Sequence, residues 1–233
     1  MFGKQIVIDV ANEYSIHNIY VAFYYDAKKE ELITDKTQNA FCFFPTKENF
    51  NTCYVCHAPF LLTDNRQNLK PSEPVNYFLL KELALLATQA LKHLCKIGRN
   101  EKKPYIHENI VKILPDYFTS EHSKWYYEEF EKIFIDAFEN VVEEEKIFLS
   151  RNGRYLSKRN AYTGSPKELV DLLSSDQLKS LTQSDESVDF LKWELIRKLE
   201  ESNLIENSYS SNDFARNITP QFMAKQDLKW VSK

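Results

Sequence analysis

An abrupt change of pattern between residues 58 and 94 constrains this chain more than any other feature. An apolar run, Ala58-Pro59-Phe60-Leu61-Leu62, stops at a short polar stretch, Thr63-Asp64-Asn65-Arg66-Gln67-Asn68, and a long helical pattern follows almost at once. Leu79, Leu80, Leu83, Leu86, Ala87, Ala90, Leu91 and Leu94 recur at spacings of three and four, the stripe of a helix that buries one face. Ser72-Glu73-Pro74 reads as its start, with a capping hydroxyl and a proline in the first turn, and Gly98 as its stop. A helix of about 23 residues measures about 35 Å at 1.5 Å per residue, enough to brace a whole face of a sheet. An arginine held between a buried strand and such a helix has little freedom, and its guanidinium is a permanent cation with a rigid fork of donors. That arrangement is how a protein presents a cation to a phosphate; the plain alternative is an arginine on a solvated loop, where charges are common.

The residues before the loop supply the sheet. Residues 5–10 and 18–25 are rich in branched and aromatic side chains, and Ile19, Val21, Phe23 and Tyr25 alternate with Tyr20, Ala22 and Tyr24 as on a strand covered on both faces. Short strands are expected at 31–34 and 39–44, and another over 52–62, with Pro45-Thr46-Lys47 as a boundary. The economical arrangement is a mostly antiparallel sheet of four or five strands packed on the long helix.

Beyond it, the polar segment 99–106 marks a boundary, so that 1–100 and 101–233 read as two subdomains. The second is mainly helical. A short helix is expected around 107–113, and Thr119-Ser120 caps a long amphipathic helix with Trp125, Phe130, Ile133, Phe134, Ala137, Phe138 and Val141 on one face. Asn152-Gly153 between Ile147-Phe148-Leu149 and Tyr155-Leu156 predicts a hairpin with a two-residue type I′ turn. Ser165-Pro166-Lys167-Glu168 and Ser174-Asp176-Gln177 both read as capping boxes, Glu186–Ser202 as a helix with an apolar stripe, and Thr219-Pro220 as one more helix start. The fold class is α+β.

Composition excludes several functions. The chain has 233 residues, 43% of them hydrophobic, which suffices for a real core, and a net charge of -4, which gives no general reason to expect a polyanion. No run reaches the ~18 apolar residues of a membrane span and no export signal is visible, so a cytoplasmic location with no membrane partner is expected. Cys53-Tyr54-Val55-Cys56-His57 imitates a haem-attachment motif. On a strand, however, Cys53 and His57 face one side and Cys56 the other, so no metal or haem is expected there. The five histidines are scattered, and neither a zinc hydrolase nor a serine hydrolase pattern is present. Arg151, Arg154, Lys158 and Arg159 with Tyr155 and Tyr162 form a basic and aromatic cluster, too small in a net-acidic chain to predict a nucleic-acid partner.

Three phrases carry a family resemblance: Phe41-Cys42-Phe43-Phe44-Pro45-Thr46-Lys47, His57-Ala58-Pro59-Phe60-Leu61-Leu62-Thr63-Asp64-Asn65-Arg66, and Asn76 at the opening of the apolar helix. Together they resemble the second half, the middle or transducer domain, of the ATPase module in sacsin-like proteins. These belong to the GHKL group that includes the ATP-driven heat-shock chaperones. Arg154-Tyr155-Leu156-Ser157, Asn160-Ala161-Tyr162 and Ser175-Asp176-Gln177-Leu178 extend the likeness over most of the chain. The resemblance implies that Arg66 reaches the gamma-phosphate of ATP held in a separate N-terminal GHKL nucleotide-binding domain, while Thr63, Asp64, Asn65 and Gln67 shape the loop.

The glycines fit that division of labour. Only Gly3, Gly98, Gly153 and Gly164 are present, none close to another, whereas a phosphate cradle needs glycine for close backbone approach. ATP and Mg are therefore expected in the parent protein only, upstream of Met1 or in another chain, with no hydrolysis by these residues alone. The reading from a different class is a non-catalytic protein-protein interaction module, binding a protein client or a second copy of itself, with the acidic helix from Ser120 to Glu145 as its contact surface.

Overall fold

A computed structural model of the chain describes residues 1–10, 13–50, 52–101, 110–114, 125–199 and 204–232. It is a mixed α+β structure that divides into two compact units, Met1–Val141 and Val142–Lys233. The expected break at 99–106 lies outside the described residues from 102 onwards, as do the start of the helix expected at 107–113 and the Thr119-Ser120 cap.

The first unit is built on a five-stranded sheet in the order β1-β2-β7-β5-β6: Phe2–Val10, Glu13–Ala22, Val55–His57, Asn39–Cys42 and Phe44–Asn49. All pairings are antiparallel except that of β5 with β7. Tyr24–Asp26 (β3) and Glu31–Ile33 (β4) form a separate two-stranded ribbon. Ile6, Ile8, Ile19 and Val21 are buried; within 18–25, however, Tyr24 and Tyr25 stand about half exposed, so the expected double coverage fails where the chain leaves β2 for β3. Pro45-Thr46-Lys47 is no boundary. It lies inside β6, where the missing proline N–H is tolerated because β6 is an edge strand.

Helix α1, Pro74–Glu101, carries the buried stripe Leu79, Leu80, Leu83, Ala87, Ala90 and Leu91. Lys4 of β1 pairs with Glu82 at 2.5 Å, and the Phe2 and His93 rings meet edge to face at 5.6 Å, which ties the helix to the sheet. The helix begins one residue after Glu73 rather than after Ser72, and it does not stop at Gly98. A helical glycine costs only ~1 kcal/mol against alanine; Gly98 and Cys95 are both buried, so packing outweighs that preference. Ile110–Ile113 forms a single helical turn, α2. In Trp125–Glu144, α3, Phe134 and Phe138 are buried and stacked with centroids 6.4 Å apart; the side chains of Trp125 and Phe130 lie outside the described set.

The second unit holds more strand than the sequence suggested. Phe148–Leu149 (β8) and Tyr155–Leu156 (β9) make the expected hairpin, but its turn differs. Gly153 has φ 74° while Asn152 does not have positive φ, so a type I′ turn is excluded; the Gly153 N–H donates to Ser150 O, and a three-residue loop with a left-handed glycine results. Ala161–Ser165 (β10) sits between Asp189–Phe190 (β11) and Ser208–Ser210 (β12), parallel to both. The residues read as one helix over 186–202 therefore contribute β11 and then helix α6, Trp193–Leu199; positions 200–202 lie outside the described residues.

Ser165 is paired with Ser210 in the sheet and does not cap α4, Lys167–Leu172, whose cap residue is Pro166. The second capping box is present: Ser174 and Gln177 bond reciprocally at the start of α5, Ser175–Thr182. Short helices α7 (Ser211–Asn217), α8 (Pro220–Met223) and α9 (Leu228–Val231) follow, with Thr219 capping α8. Leu178, Leu181, Phe190, Tyr209 and Phe222 centre the core of this unit.

Candidate functional site

The apolar run that precedes the loop ends in an isolated bridge, Leu62 opposite Leu69, and the six residues between turn on themselves. Thr63 organises the turn. Its N–H donates to Asn68 O at 2.9 Å, its hydroxyl lies 2.8 Å from Asn65 Oδ1, and its carbonyl accepts from the Arg66 N–H at 2.7 Å. Asn65 Oδ1 also accepts from the Gln67 N–H at 3.0 Å, and Gln67 O accepts from the Lys47 N–H at 2.7 Å. These bonds hold Arg66 in the left-handed region, φ 57°, where a side chain other than glycine or asparagine is rare.

Arg66 is exposed, and among the described residues no carboxylate pairs with its guanidinium. Together with Thr63, Asp64, Leu61 and the turn residues Phe43 and Phe44 it lines an open cavity of about 600 Å³. Phe43 and Phe44 are 73% and 77% exposed, and Phe43 also has a left-handed backbone, φ 60°. Two bulky residues in this strained region thus border one cavity. Asparagine or glycine suits such a backbone better, so the phenylalanine at 43 was legible in the sequence only as part of an apolar strand.

Two residues that composition would place elsewhere hold the loop's base. Asn76, in the first turn of α1 and 2% exposed, accepts from the Leu61 N–H and donates to Leu61 O, both at 2.9 Å, and donates to Lys70 O at 3.1 Å. Glu48 of β6, also 2% exposed, accepts from the Leu69 N–H at 3.0 Å. The signal for Glu48 was faint: a charged residue in a stretch whose proline hid its strand character. At the rim, the Lys70 ammonium is held above its ordinary value by its bond to Glu73, with a smaller contribution from Asp64.

The Cys-x-x-Cys-His segment behaves as a packed element. Burial pushes the Cys53 and Cys56 thiols up to about 12, and no cluster of His, Cys, Asp or Glu among the described residues could hold a metal ion. Burial also holds His57 below its ordinary value; its Nδ1 is buried without a partner, and its ring lies 5.6 Å from Tyr20 and 6.0 Å from Phe43.

The basic cluster of the second unit is divided: Arg154 and Arg159 are exposed, whereas Arg151 and Lys158 are tied into the unit. Arg151 Nε donates to the fully buried Asp189 at 3.0 Å, its NH groups bond Val170 O and Leu173 O, and the guanidinium lies 5.2 Å from the Phe190 centroid. Lys158 pairs with Glu143 at 2.5 Å and with Glu206 at 3.1 Å, which raises its ammonium, and Tyr155 is buried.

As a receptor for ATP, the cavity beside Arg66 supplies one cation and one carboxylate, Asp64, with no glycine at its edge. No protein-family model, curated protein or solved structure matches this chain. No helix among the described residues is long and apolar enough to cross a membrane.

Proposed function

We propose that this chain is the transducer half of a GHKL-type, sacsin-like ATPase or chaperone-like protein, a sheet braced by a long helix that presents Arg66 to the gamma-phosphate of ATP bound in a separate N-terminal domain. One observation carries the reading: an exposed guanidinium, without a carboxylate partner among the described residues, on a loop whose stems are bonded by Asn76 of α1 and Glu48 of β6. A flexible surface arginine needs no such frame. A nucleotide domain docked here would supply ATP and Mg, and this chain's contribution is electrostatic: Arg66 donates hydrogen bonds to oxygens that gain charge as the phosphoryl group leaves. The four free thiols suit a reducing compartment such as the cytoplasm.

The test has two arms. Titration calorimetry of these 233 residues with ATP should show no tight binding; a micromolar complex would contradict the division of labour. In the protein that joins them to a nucleotide domain, Arg66→Ala should lower turnover by ~10³-fold or more, as for arginines supplied in trans to phosphoryl transfer, with nucleotide affinity little changed. Unchanged turnover would remove Arg66 from the mechanism.

The exposed pair Phe43 and Phe44 favours a second reading, a non-catalytic protein-protein interaction module. Under it, Arg66→Ala is silent while Phe44→Ser weakens association.

A further inference from the structure

We propose that Asn76 and Glu48 are positioning residues for Arg66, one acting from α1 and the other from β6, so that the backbone from which the guanidinium extends is set in place before any partner arrives. The proposal rests on the role given to Arg66 above. The stems meet where the Lys70 N–H donates to Leu61 O at 2.9 Å. The Asn76 carboxamide spans that junction, with Oδ1 on the Leu61 N–H and Nδ2 on both Leu61 O and Lys70 O. Glu48 Oε1 secures the next residue of the returning stem, Leu69, and Lys47 beside it secures Gln67. Arg66 lies between these anchored points.

Packing alone does not call for either side chain. A buried amide or carboxylate is unfavourable unless its bonds are made, and an apolar residue of similar volume fills the same space without that penalty. Glu48 Oε2 is buried with no hydrogen-bond partner among the described residues, so its burial is not an optimised structural ion pair. Every side-chain hydrogen bond found for the two residues ends on backbone of the loop's stems. Because Asn76 belongs to the first turn of α1, the loop and the helix move together, and a displacement of one is handed to the other. Their effect on the phosphate acts entirely through where the arginine sits, and a misplacement of ~1 Å can cost ~100-fold in rate.

Five variants test this in the ATPase joined to its nucleotide domain: Arg66→Ala, Asn76→Ala, Glu48→Ala, Glu48→Gln and the double variant Arg66→Ala with Asn76→Ala. Asn76→Ala should lower kcat by ~10- to 100-fold with nucleotide Kd unchanged. Glu48→Gln, which keeps an acceptor for Leu69, should recover most of what Glu48→Ala loses. The double variant should be no slower than Arg66→Ala, since a residue that acts through the arginine has nothing left to aim. Hydrogen exchange at the Leu61 and Leu69 amides, with thermal melting alongside, shows whether the bonds are lost in a folded protein. Freed amides with unchanged kcat, or losses that multiply in the double variant, would overturn the positioning role. A silent Arg66→Ala would overturn the parent reading instead, and this proposal with it.

Discussion

Phe43 is a residue set against both its backbone and its solvent. It holds φ 60° and is 73% exposed, so the left-handed conformation is unfavourable and no burial offsets it. Asparagine adopts that region readily, and Phe43→Asn should raise the unfolding free energy by about 1 kcal/mol; an unchanged urea midpoint would show that the turn stores no strain. His57 gives a pH dependence of definite sign. Burial holds its folded-state value below the ordinary 6.5, so the unfolded chain takes up this proton first as pH falls. The stability tied to neutral His57 is therefore complete above about pH 6.5 and is lost as pH falls below it. His57→Phe should flatten the decline of the melting temperature between about pH 7 and 5 relative to the parent chain, and parallel curves would rule this out.

At the scale of elements, a buried carboxylate is one of the ties between the hairpin β8–β9 and the rest of its unit, beside the backbone bonds from Arg151 to Phe190 and from Lys192 to Leu149. Asp189 is fully buried and receives Arg151 Nε, Asn152 Nδ2 at 2.7 Å and the Phe190 N–H at 2.9 Å. Removing one partner of such a set strands the other charge, so Asp189→Ala should destabilise the second unit by ~3 to 5 kcal/mol; a loss below ~1 kcal/mol in chemical denaturation would show the pair to be dispensable. The same residue explains why the helix read over 186–202 begins only at Trp193. Val188, Phe190, Leu191 and Leu195 fit a helical stripe, yet Asp189 is aimed inward at Arg151 and the Leu191 N–H bonds Tyr162 O, which fixes an extended segment first. Long-range pairing decided a stretch whose local pattern was ambiguous. The reciprocal cap of Ser174 with Gln177, and the Thr219 cap ahead of Pro220, were legible because they depend on neighbours in sequence.

For the whole molecule, the mixed α+β character could be read from the change of hydrophobic period at residue 74, and so could the tight loop around Arg66. What could not be read was support that comes from distant segments. Glu48 and Leu69 are 21 residues apart, and the cavity beside Arg66 draws Phe43 and Phe44 from a strand pair that Pro45 disguised. The parallel sheet of the second unit was invisible for the same reason, since two- to five-residue strands leave almost no periodicity.

That sheet also sets an order of events during synthesis. Its middle strand, β10, leaves the ribosome before either of the strands that flank it, from 189–190 and 208–210. Until the last of these emerges, the central strand has open hydrogen-bonding groups on at least one edge, and Gly164, which a methyl group would drive into Phe190 and Val170, has no side chain to shield them. The nascent chain thus carries a sticky seam that closes only once residues 208–210 have emerged.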